Sequence, residues 1–124
     1  MSRGAVLVTG GAKRIGRRIS LSLARSGYDV IIHPRNSPDE AEKTVAEIHA
    51  IGSSAICIQA DLSNSSSAQT LITASIKKYG SLQGIVNNAS MFVHDDIDSI
   101  DTDKWDSHMD VNAKAPMLLI RALK

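Results

Sequence analysis

A glycine-rich turn near the start of the chain constrains the fold more than any other feature. The apolar run 5–8 leads through Thr9-Gly10-Gly11 into a segment with helical spacing. A strand that passes through glycines into a helix N-terminus presents backbone N–H groups to an anion. Cations are normally disfavoured there, yet four of them occupy this helix start: Lys13, Arg14, Arg17 and Arg18. We interpret these side chains as facing the phosphates of a dinucleotide, with simple solvation as the alternative.

Short apolar runs alternate with longer amphipathic segments along the whole chain. The spacing predicts four strands, over residues 4–9, 28–33, 54–60 and 82–87. It predicts four helices, over residues 14–26, 38–51, 63–79 and 103–124. Because the strands are apolar on both faces, they belong in a parallel sheet with helices on both sides. The predicted fold is α/β, a three-layer Rossmann-type sheet with strand order 3-2-1-4 that is truncated before a fifth strand.

Local signals mark the faces and ends of these helices. Ile15, Ile19 and Leu23 are spaced for one face of the first helix. Ser63 and Thr102 are the predicted N-caps of the third and fourth helices. No linker, low-complexity tract or repeat interrupts the pattern, so we expect a single nucleotide-binding domain over residues 1–124.

Composition narrows the class of protein. Hydrophobic residues make up 43% and charged residues 22% of the chain, as in soluble globular proteins. The net charge of +1 gives no reason to expect nucleic acid or an acidic membrane surface as a partner. A lone cysteine, Cys57, excludes a disulfide or a zinc framework within one chain. No apolar stretch approaches the length of a membrane span or a signal peptide, so we expect a cytoplasmic protein.

The loops after the strands are the candidate ligand site, because open parallel sheets bind ligands at the carboxyl ends of their strands. These loops cover residues 9–16, 33–37, 60–63 and 87–95. NAD-specific sites usually carry an acid after the second strand for the ribose 2′-hydroxyl, but the first acid here is Asp39. Arg35, Asn36 and Ser37 are instead donors suited to a 2′-phosphate. The predicted cofactor is therefore NADP(H), and the alternatives are a solvated loop and a plain strand-to-helix turn.

Four motifs at these positions resemble the short-chain dehydrogenase/reductase family, a group of NAD(P)-dependent oxidoreductases with a Rossmann fold. They are Thr9-Gly10 followed by Gly16, Asp61-Leu62, Asn87-Asn88-Ala89 and Val111-Asn112. Arg14 stands where most members of that family have a middle glycine. Together with Asn87 to Phe92 and Asn112 to Pro116, this arginine makes the chain similar to the pteridine reductase branch.

The resemblance implies a cofactor-binding role for each matching residue. The pyrophosphate would be wrapped by Gly10, Arg14, Ile15 and Gly16. The adenosine 2′-phosphate would be bound by His33, Arg35, Asn36 and Ser37, with Lys13 or Arg14 assisting. The adenine would be held by Asp61 and Leu62, and the ribose and nicotinamide by Asn88, Ala89 and Ser90.

The same resemblance implies a substrate site. In the pteridine branch, an aromatic residue two places after the serine stacks on the pterin, and Phe92 occupies that place. Arg14 and Ser90 would also contact the substrate. The alternative for Phe92 is an ordinary core or loop residue.

Asn112 is the one candidate catalytic residue within these 124 residues. Asparagine is a mediocre helix former, and Pro116, four residues on, lacks the N–H that would bond the Asn112 carbonyl. The freed acceptor has room for a water. The family resemblance implies such a water in a proton relay, and a simple packing kink is the alternative.

The remaining catalytic groups of the family are absent. The family uses a Tyr-x-x-x-Lys pair and a serine downstream of this asparagine, with the tyrosine as general acid. Tyr28 and Tyr79 are followed four places on by Ile32 and Gln83, so neither forms the pair. The chain has about half the usual family length and is expected to be inactive alone. An uncovered fourth strand and an apolar last helix further predict a homo-oligomer.

Three functions remain open at this stage. The leading hypothesis is the NADP(H)-binding half of a reductase that delivers a hydride to a pterin C=N bond or a related carbonyl. The second is a 3-oxoacyl-acyl-carrier-protein reductase or another carbonyl reductase of the same family. The third is a catalytically silent NADP(H)-binding module, because the Tyr-x-x-x-Lys pair is missing.

Overall fold

A four-stranded parallel sheet with helices on both faces forms the frame of the molecule, in a computed structural model that describes residues 2–124. The strands are β1 (Ala5–Thr9), β2 (Asp29–His33), β3 (Ala55–Cys57) and β4 (Gly84–Val86). The helices are α1 (Arg14–Arg25), α2 (Pro38–Ile51), α3 (Ser67–Tyr79), α4 (Thr102–Met109) and α5 (Ala115–Leu123). The spatial order is β3-β2-β1-β4, which confirms the predicted fold class and strand order.

The two central strands are buried on both faces, as their unbroken apolar sequences predict. Alternate residues of each strand enter separate cores on opposite sides of the sheet. Val8 and Ile32 lie in the core beneath α1 and α2. Leu7 and Ile31 pair in register and lie in the core beneath α3 and α5. This burial fixes the register, and with it the side on which every loop emerges.

Helix α1 packs against the sheet through small side chains and not through Ile15. The buried residues of α1 are Gly16, Ser20, Leu21 and Ala24, whereas Ile15 is 70% exposed. Ile19 and Leu23, which share the Ile15 face, lie at the margin of the core. At the start of α1 the helix backbone approaches the loop after β1 closely, since a Cβ atom on Gly16 would lie 1.9 Å from the Gly10 carbonyl oxygen, and Ile15 remains on the exposed side.

Two predicted N-caps are wrong, in both cases because a neighbouring side chain competes for the backbone. Asp61 accepts a hydrogen bond from the Ser63 backbone N–H, and Asn64 accepts one from that of Ser66, so α3 begins only at Ser67. At α4, Asp101 caps the helix by accepting from the Lys104 backbone N–H at 2.8 Å. The strands β3 and β4 are also shorter than predicted, with three residues each.

The predicted last helix is interrupted. A π-helical turn covers Asp110–Lys114 and separates α4 from α5. Pro116 has no N–H to continue the ordinary helical hydrogen-bond pattern, and just before it the helix takes a wider turn that contains one extra residue. Among residues 2–124, no helix combines the length and the apolar character that crossing a lipid bilayer requires.

Candidate functional site

A cleft of about 450 Å³ opens at the carboxyl ends of the strands. It is lined by thirteen of the residues predicted from the sequence: Gly10, Lys13, Arg14, Ile15, Gly16, His33, Arg35, Asn36, Ser37, Leu62, Asn88, Ala89 and Ser90. It is also lined by three residues that sequence reasoning missed, which are Ala12, Pro34 and Val111. Ala12 and Pro34 belong to the candidate loops 9–16 and 33–37, and Val111 belongs to the Val111-Asn112 motif, but as uncharged apolar residues they were given no binding role of their own. Asp61, Phe92 and Asn112 do not line it.

The loop after β1 is tied to the loop after β4. The buried Thr9 hydroxyl oxygen accepts hydrogen bonds from the backbone N–H groups of Asn88 and Ala89, at 3.1 and 3.0 Å. The Asn88 side-chain amide donates back to the Gly10 carbonyl at 3.1 Å. A Cβ atom on Gly16 would lie 1.9 Å from the Gly10 carbonyl oxygen, so only glycine fits there. These contacts hold the start of α1 open toward the cleft.

Only two of the four cations at the start of α1 reach the cleft. Lys13 and Arg14 line it. Arg17 forms a bidentate ion pair with Glu47 of α2. Arg18 lies with Ile19 on the outer surface of α1. The expectation that all four face a dinucleotide is therefore wrong for Arg17 and Arg18.

Arg14 adopts a backbone conformation that favours glycine. Its φ angle is +55°, and it is the one non-glycine residue with positive φ among residues 2–124. The left-handed region costs a residue with a side chain about 1–2 kcal/mol. The chain carries this strain at the mouth of the cleft, where the guanidinium is exposed. Strain at such a place points to a function for the side chain.

His33 is 1% exposed and links three loops. Its Nε2 lies 2.7 Å from the Ala60 carbonyl oxygen, and its Nδ1 lies 3.2 Å from the Gly10 backbone nitrogen. A carbonyl only accepts, so Nε2 carries the proton and Nδ1 accepts from Gly10. Burial lowers the pKa of His33, and the Ala60 hydrogen bond and the Asp61 charge oppose this in part. Both ring nitrogens are thus engaged, which differs from the expected contact with a 2′-phosphate.

The loop after β2 presents its polar groups outward. Arg35 and Asn36 are exposed and line the cleft with Ser37. The Arg35 carbonyl accepts a hydrogen bond from the Gln59 side chain at 3.0 Å, which steadies the backbone of this loop. No carboxylate is among the residues that line the cleft. The electrostatics of this wall therefore suit an anion.

Asp61 and Leu62 divide the role expected of them. Leu62 is buried and lines the cleft. The Asp61 carboxylate accepts from the backbone N–H and the hydroxyl of Ser63, at 3.0 and 2.7 Å. The Ser63 hydroxyl and backbone N–H hold the pKa of Asp61 below its usual range. Asp61 therefore fixes the conformation of the loop, and Leu62 forms part of the apolar wall of the cleft.

At the open end of the cleft, two side chains pin the segment 91–93. The Asn112 carboxamide accepts from the Met91 backbone N–H at 2.7 Å and donates to the Met91 carbonyl at 2.8 Å. One helical turn earlier, His108 Nε2 accepts from the Val93 backbone N–H at 3.0 Å. The Phe92 ring, 83% exposed, lies nearly parallel to the His108 ring with centroids 6.5 Å apart. Sequence reasoning missed His108, although its four-residue spacing from Asn112 was a usable signal.

Comparison with known proteins gives the family. The sequence profile of the short chain dehydrogenase family matches residues 4–124. The fold, the strand order and the cleft at the carboxyl ends agree with this match, and the chain belongs to the short-chain dehydrogenase/reductase family.

Similar proteins include reductases and dehydrogenases. The 3-oxoacyl-acyl-carrier-protein reductase FabG of Staphylococcus aureus is 34% identical over 110 residues, which cover 89% of this chain and 45% of that protein. A short chain dehydrogenase from Burkholderia cenocepacia in complex with NADP is 35% identical with a TM-score of 0.92, over 95% of this chain and 48% of that one.

The structure of FolM alternative dihydrofolate reductase 1 from Brucella canis, complexed with NADP, is 37% identical with a TM-score of 0.90. The match covers 98% of this chain and 49% of that one. Dihydrofolate contains a pterin ring, so this similarity supports the pteridine-reductase-like branch. The chain spans about half the length of the relatives it matches.

Proposed function

We propose that this chain forms the NADP(H)-binding part of a short-chain reductase. The observation that carries the proposal is the lining of the cleft. A glycine loop and three cationic side chains line it, those of Lys13, Arg14 and Arg35, and no carboxylate does. A helix N-terminus with exposed N–H groups binds a pyrophosphate, and guanidinium groups bind a phosphate monoester. The NADP complexes of similar proteins support the same cofactor.

The residues present fit this cofactor. Gly10 and Gly16 allow the close approach of the loop backbone, and Leu62 offers an apolar wall to the adenine. Arg35, Asn36 and Ser37 would hold the 2′-phosphate, and Asn88 to Ser90 would contact the ribose and nicotinamide; all six line the cleft. The bound cofactor supplies the hydride. The chain's own part is to bind the cofactor, orient it and keep its phosphates at the start of α1.

Cofactor selectivity tests this proposal. We expect NADPH to bind at least about tenfold more tightly than NADH, because a charge-assisted contact is worth about 1.5–3 kcal/mol. The Arg35→Ala variant should lose most of this preference, whereas Arg18→Ala, on the outer surface of α1, should retain it. Fluorescence titration of each variant with both cofactors measures the effect. Equal affinities of the unaltered chain for NADPH and NADH would overturn the proposal.

For the substrate we propose a pterin or a related C=N or C=O compound. Phe92, two residues after Ser90, is 83% exposed and offers a free ring face for stacking, and Arg14 and Ser90 line the cleft. The main-chain carbonyl of Asn112, whose usual helical donor is replaced by Pro116, is proposed to hold a water for proton delivery. The general acid of the complete reductase would come from the part of its relatives' length that this chain does not span.

The FabG similarity favours a second candidate, reduction of a 3-oxoacyl thioester. Calorimetric titration of the chain saturated with NADP⁺ distinguishes the two. Binding of a dihydropterin that is lost in Phe92→Ala supports the pterin, and binding of a 3-oxoacyl pantetheine thioester that survives this change supports FabG-like chemistry. A silent module, the third candidate, would bind NADPH and neither substrate.

We also propose that the chain associates with a second copy. Four large apolar residues of α4 and α5 are 44–59% exposed: Trp105, Met109, Met117 and Ile120. Large apolar side chains exposed in such numbers on two consecutive helices are typical of an interface. Light scattering should give a mass above 13.3 kDa that falls on dilution, and a monomer at every concentration would contradict the assembly.

A further inference from the structure

His33 is the most heavily buried ionisable side chain at the cleft, and the proposed chemistry leaves it without a task. It connects the glycine loop after β1 with the loop after β3 through Gly10 and Ala60. Its own carbonyl oxygen also accepts from the Gly11 backbone N–H at 3.3 Å. One residue therefore engages two successive N–H groups of the glycine loop.

The hydrogen-bond pattern excludes a direct contact between this ring and a phosphate. A neutral histidine has one donor and one acceptor nitrogen. The donor is used by the Ala60 carbonyl, and the acceptor, Nδ1, would repel a phosphate oxygen. The ring instead fixes which N–H groups of the glycine loop face inward and which remain for an anion.

We propose that His33 is a positioning residue that holds the glycine loop in its cofactor-binding shape and releases it on protonation. This inference rests on the proposed binding of NADP(H). Protonation places a second N–H on the ring, directed at the Gly10 N–H, so the hydrogen bond is replaced by repulsion. The loop then moves away from the ring, and the affinity for every dinucleotide falls, whether or not it carries a 2′-phosphate.

The charged groups around the ring, together with its burial, determine the pH at which His33 is protonated and the loop is released. Asp61 faces it from the loop after β3, Arg35 belongs to its own loop, and Lys13 and Arg14 line the cleft from the glycine loop. Burial is the largest influence and lowers the pKa of His33 below 6.5. The ring is therefore neutral at pH 7, and the loop is released only on acidification through a lower pKa.

A direct phosphate ligand and a positioning residue predict opposite results, which makes the inference testable. A cationic histidine that contacted the 2′-phosphate would strengthen NADPH binding on acidification. The positioning role predicts that NADH binds more weakly as the pH falls through the lowered pKa of His33, and NADH is the decisive probe because it has no 2′-phosphate to titrate. The experiment is a fluorescence titration of the full chain with NADH and NADPH from pH 8 down to the lowest pH at which circular dichroism shows the chain still folded.

Three variants complete the test. His33→Leu should weaken NADH and NADPH by the same factor, about tenfold or more, so the preference between them is kept. His33→Asn retains an acceptor near Gly10 and should recover part of the affinity while losing the pH dependence. Arg35→Ala is the control that lowers NADPH affinity alone. A His33→Leu chain that loses only NADPH affinity, or an unaltered chain whose NADH affinity does not fall on acidification, would overturn the inference.

A readout without cofactor separates this inference from the proposed function. Hydrogen exchange of the Gly10 amide, followed by NMR in the cofactor-free chain, should be slow in the unaltered protein, about tenfold faster in His33→Leu and intermediate in His33→Asn. An unaltered chain that binds neither dinucleotide overturns the proposed function. Equal Gly10 exchange in the unaltered chain and both variants overturns the role of His33.

Discussion

The two ends of the cleft are held by different kinds of contact. At the phosphate end, Thr9 and His33 are each 1% exposed and bind the backbone of neighbouring loops. At the open end, His108 and Asn112 hold the segment 91–93 from the surface, and Phe92 is 83% exposed. A buried hydrogen bond is expensive to break because water cannot replace it, whereas an exposed one exchanges with water at little cost. The fold thus makes the phosphate end rigid and leaves the open end adaptable.

The largest effect is expected where the phosphate end is most closely packed. The Gly16→Ala variant places a Cβ atom 1.9 Å from the Gly10 carbonyl oxygen, so the loop and α1 must separate. We expect a loss of more than about 2 kcal/mol in the free energy of unfolding and no measurable NADPH binding. Gly84→Ala is the matched control, since nothing lies within 4 Å of its added Cβ. Thermal unfolding and NADPH titration measure both, and an unaffected Gly16→Ala chain would show that the end is not rigid.

Removing one buried hydroxyl should be the next most damaging change. The Thr9→Val variant keeps the side-chain shape but leaves the Ala89 N–H without its acceptor and the Asn88 N–H with the Val86 carbonyl alone. An N–H left unpaired inside the protein costs about 1–3 kcal/mol, so we expect a loss of that size in the free energy of urea unfolding. Thr70→Val, on the exposed side of α3, should change stability by less than about 0.5 kcal/mol. Equal losses of stability in the two variants would contradict the claim that buried hydrogen bonds are more costly to break than exposed ones.

At Arg14 we expect a substitution to change stability and NADPH binding in opposite directions. Arg14→Gly relieves the positive φ angle and should stabilise the chain by about 1 kcal/mol while weakening NADPH binding. Lys13→Gly is the control, since Lys13 has a φ angle of −150° and no such strain to relieve. Urea unfolding beside NADPH titration separates the two quantities. An Arg14→Gly chain that is destabilised, or that binds NADPH normally, contradicts the account of this residue.

The smallest effect is expected at the open end. His108→Ala removes the acceptor of the Val93 N–H, which water can replace, so the unfolding free energy should change by less than about 1 kcal/mol. We expect faster hydrogen exchange at Val93 and unchanged NADPH affinity. His94→Ala, at an exposed neighbouring position, is the control. A loss of stability in His108→Ala as large as that in Thr9→Val would mean that both ends are equally rigid.

The sequence predicted most of the fold because the strands are continuously apolar and the helices periodic. It misplaced details where local polar groups compete for the backbone. Asp61 and Asp101 displaced the expected N-caps, and the close approach at Gly16 turned Ile15 outward. These outcomes depend on three-dimensional distances that spacing alone does not encode.

The candidate site shows the same division. The glycine loop and the residues after β2 could be assigned to one cleft because parallel strands bring their carboxyl ends together. Whether a polar side chain faces the cleft or another loop depends on its neighbours. His33 turns to Gly10 and Ala60, Arg17 turns to Glu47, and Asn112 turns to Met91. Such pairings link residues that are distant along the chain, so no local sequence pattern predicts them.

The most direct test of the central claim is a paired titration of the unaltered chain with NADPH and NADH at pH 8, at low and moderate salt. At this pH His33 is neutral and a 2′-phosphate is fully charged. We expect NADPH to bind at least about tenfold more tightly than NADH, and salt to weaken NADPH binding more than NADH binding. Equal affinities, or a preference for NADH, would contradict the assignment of the cleft to NADP(H).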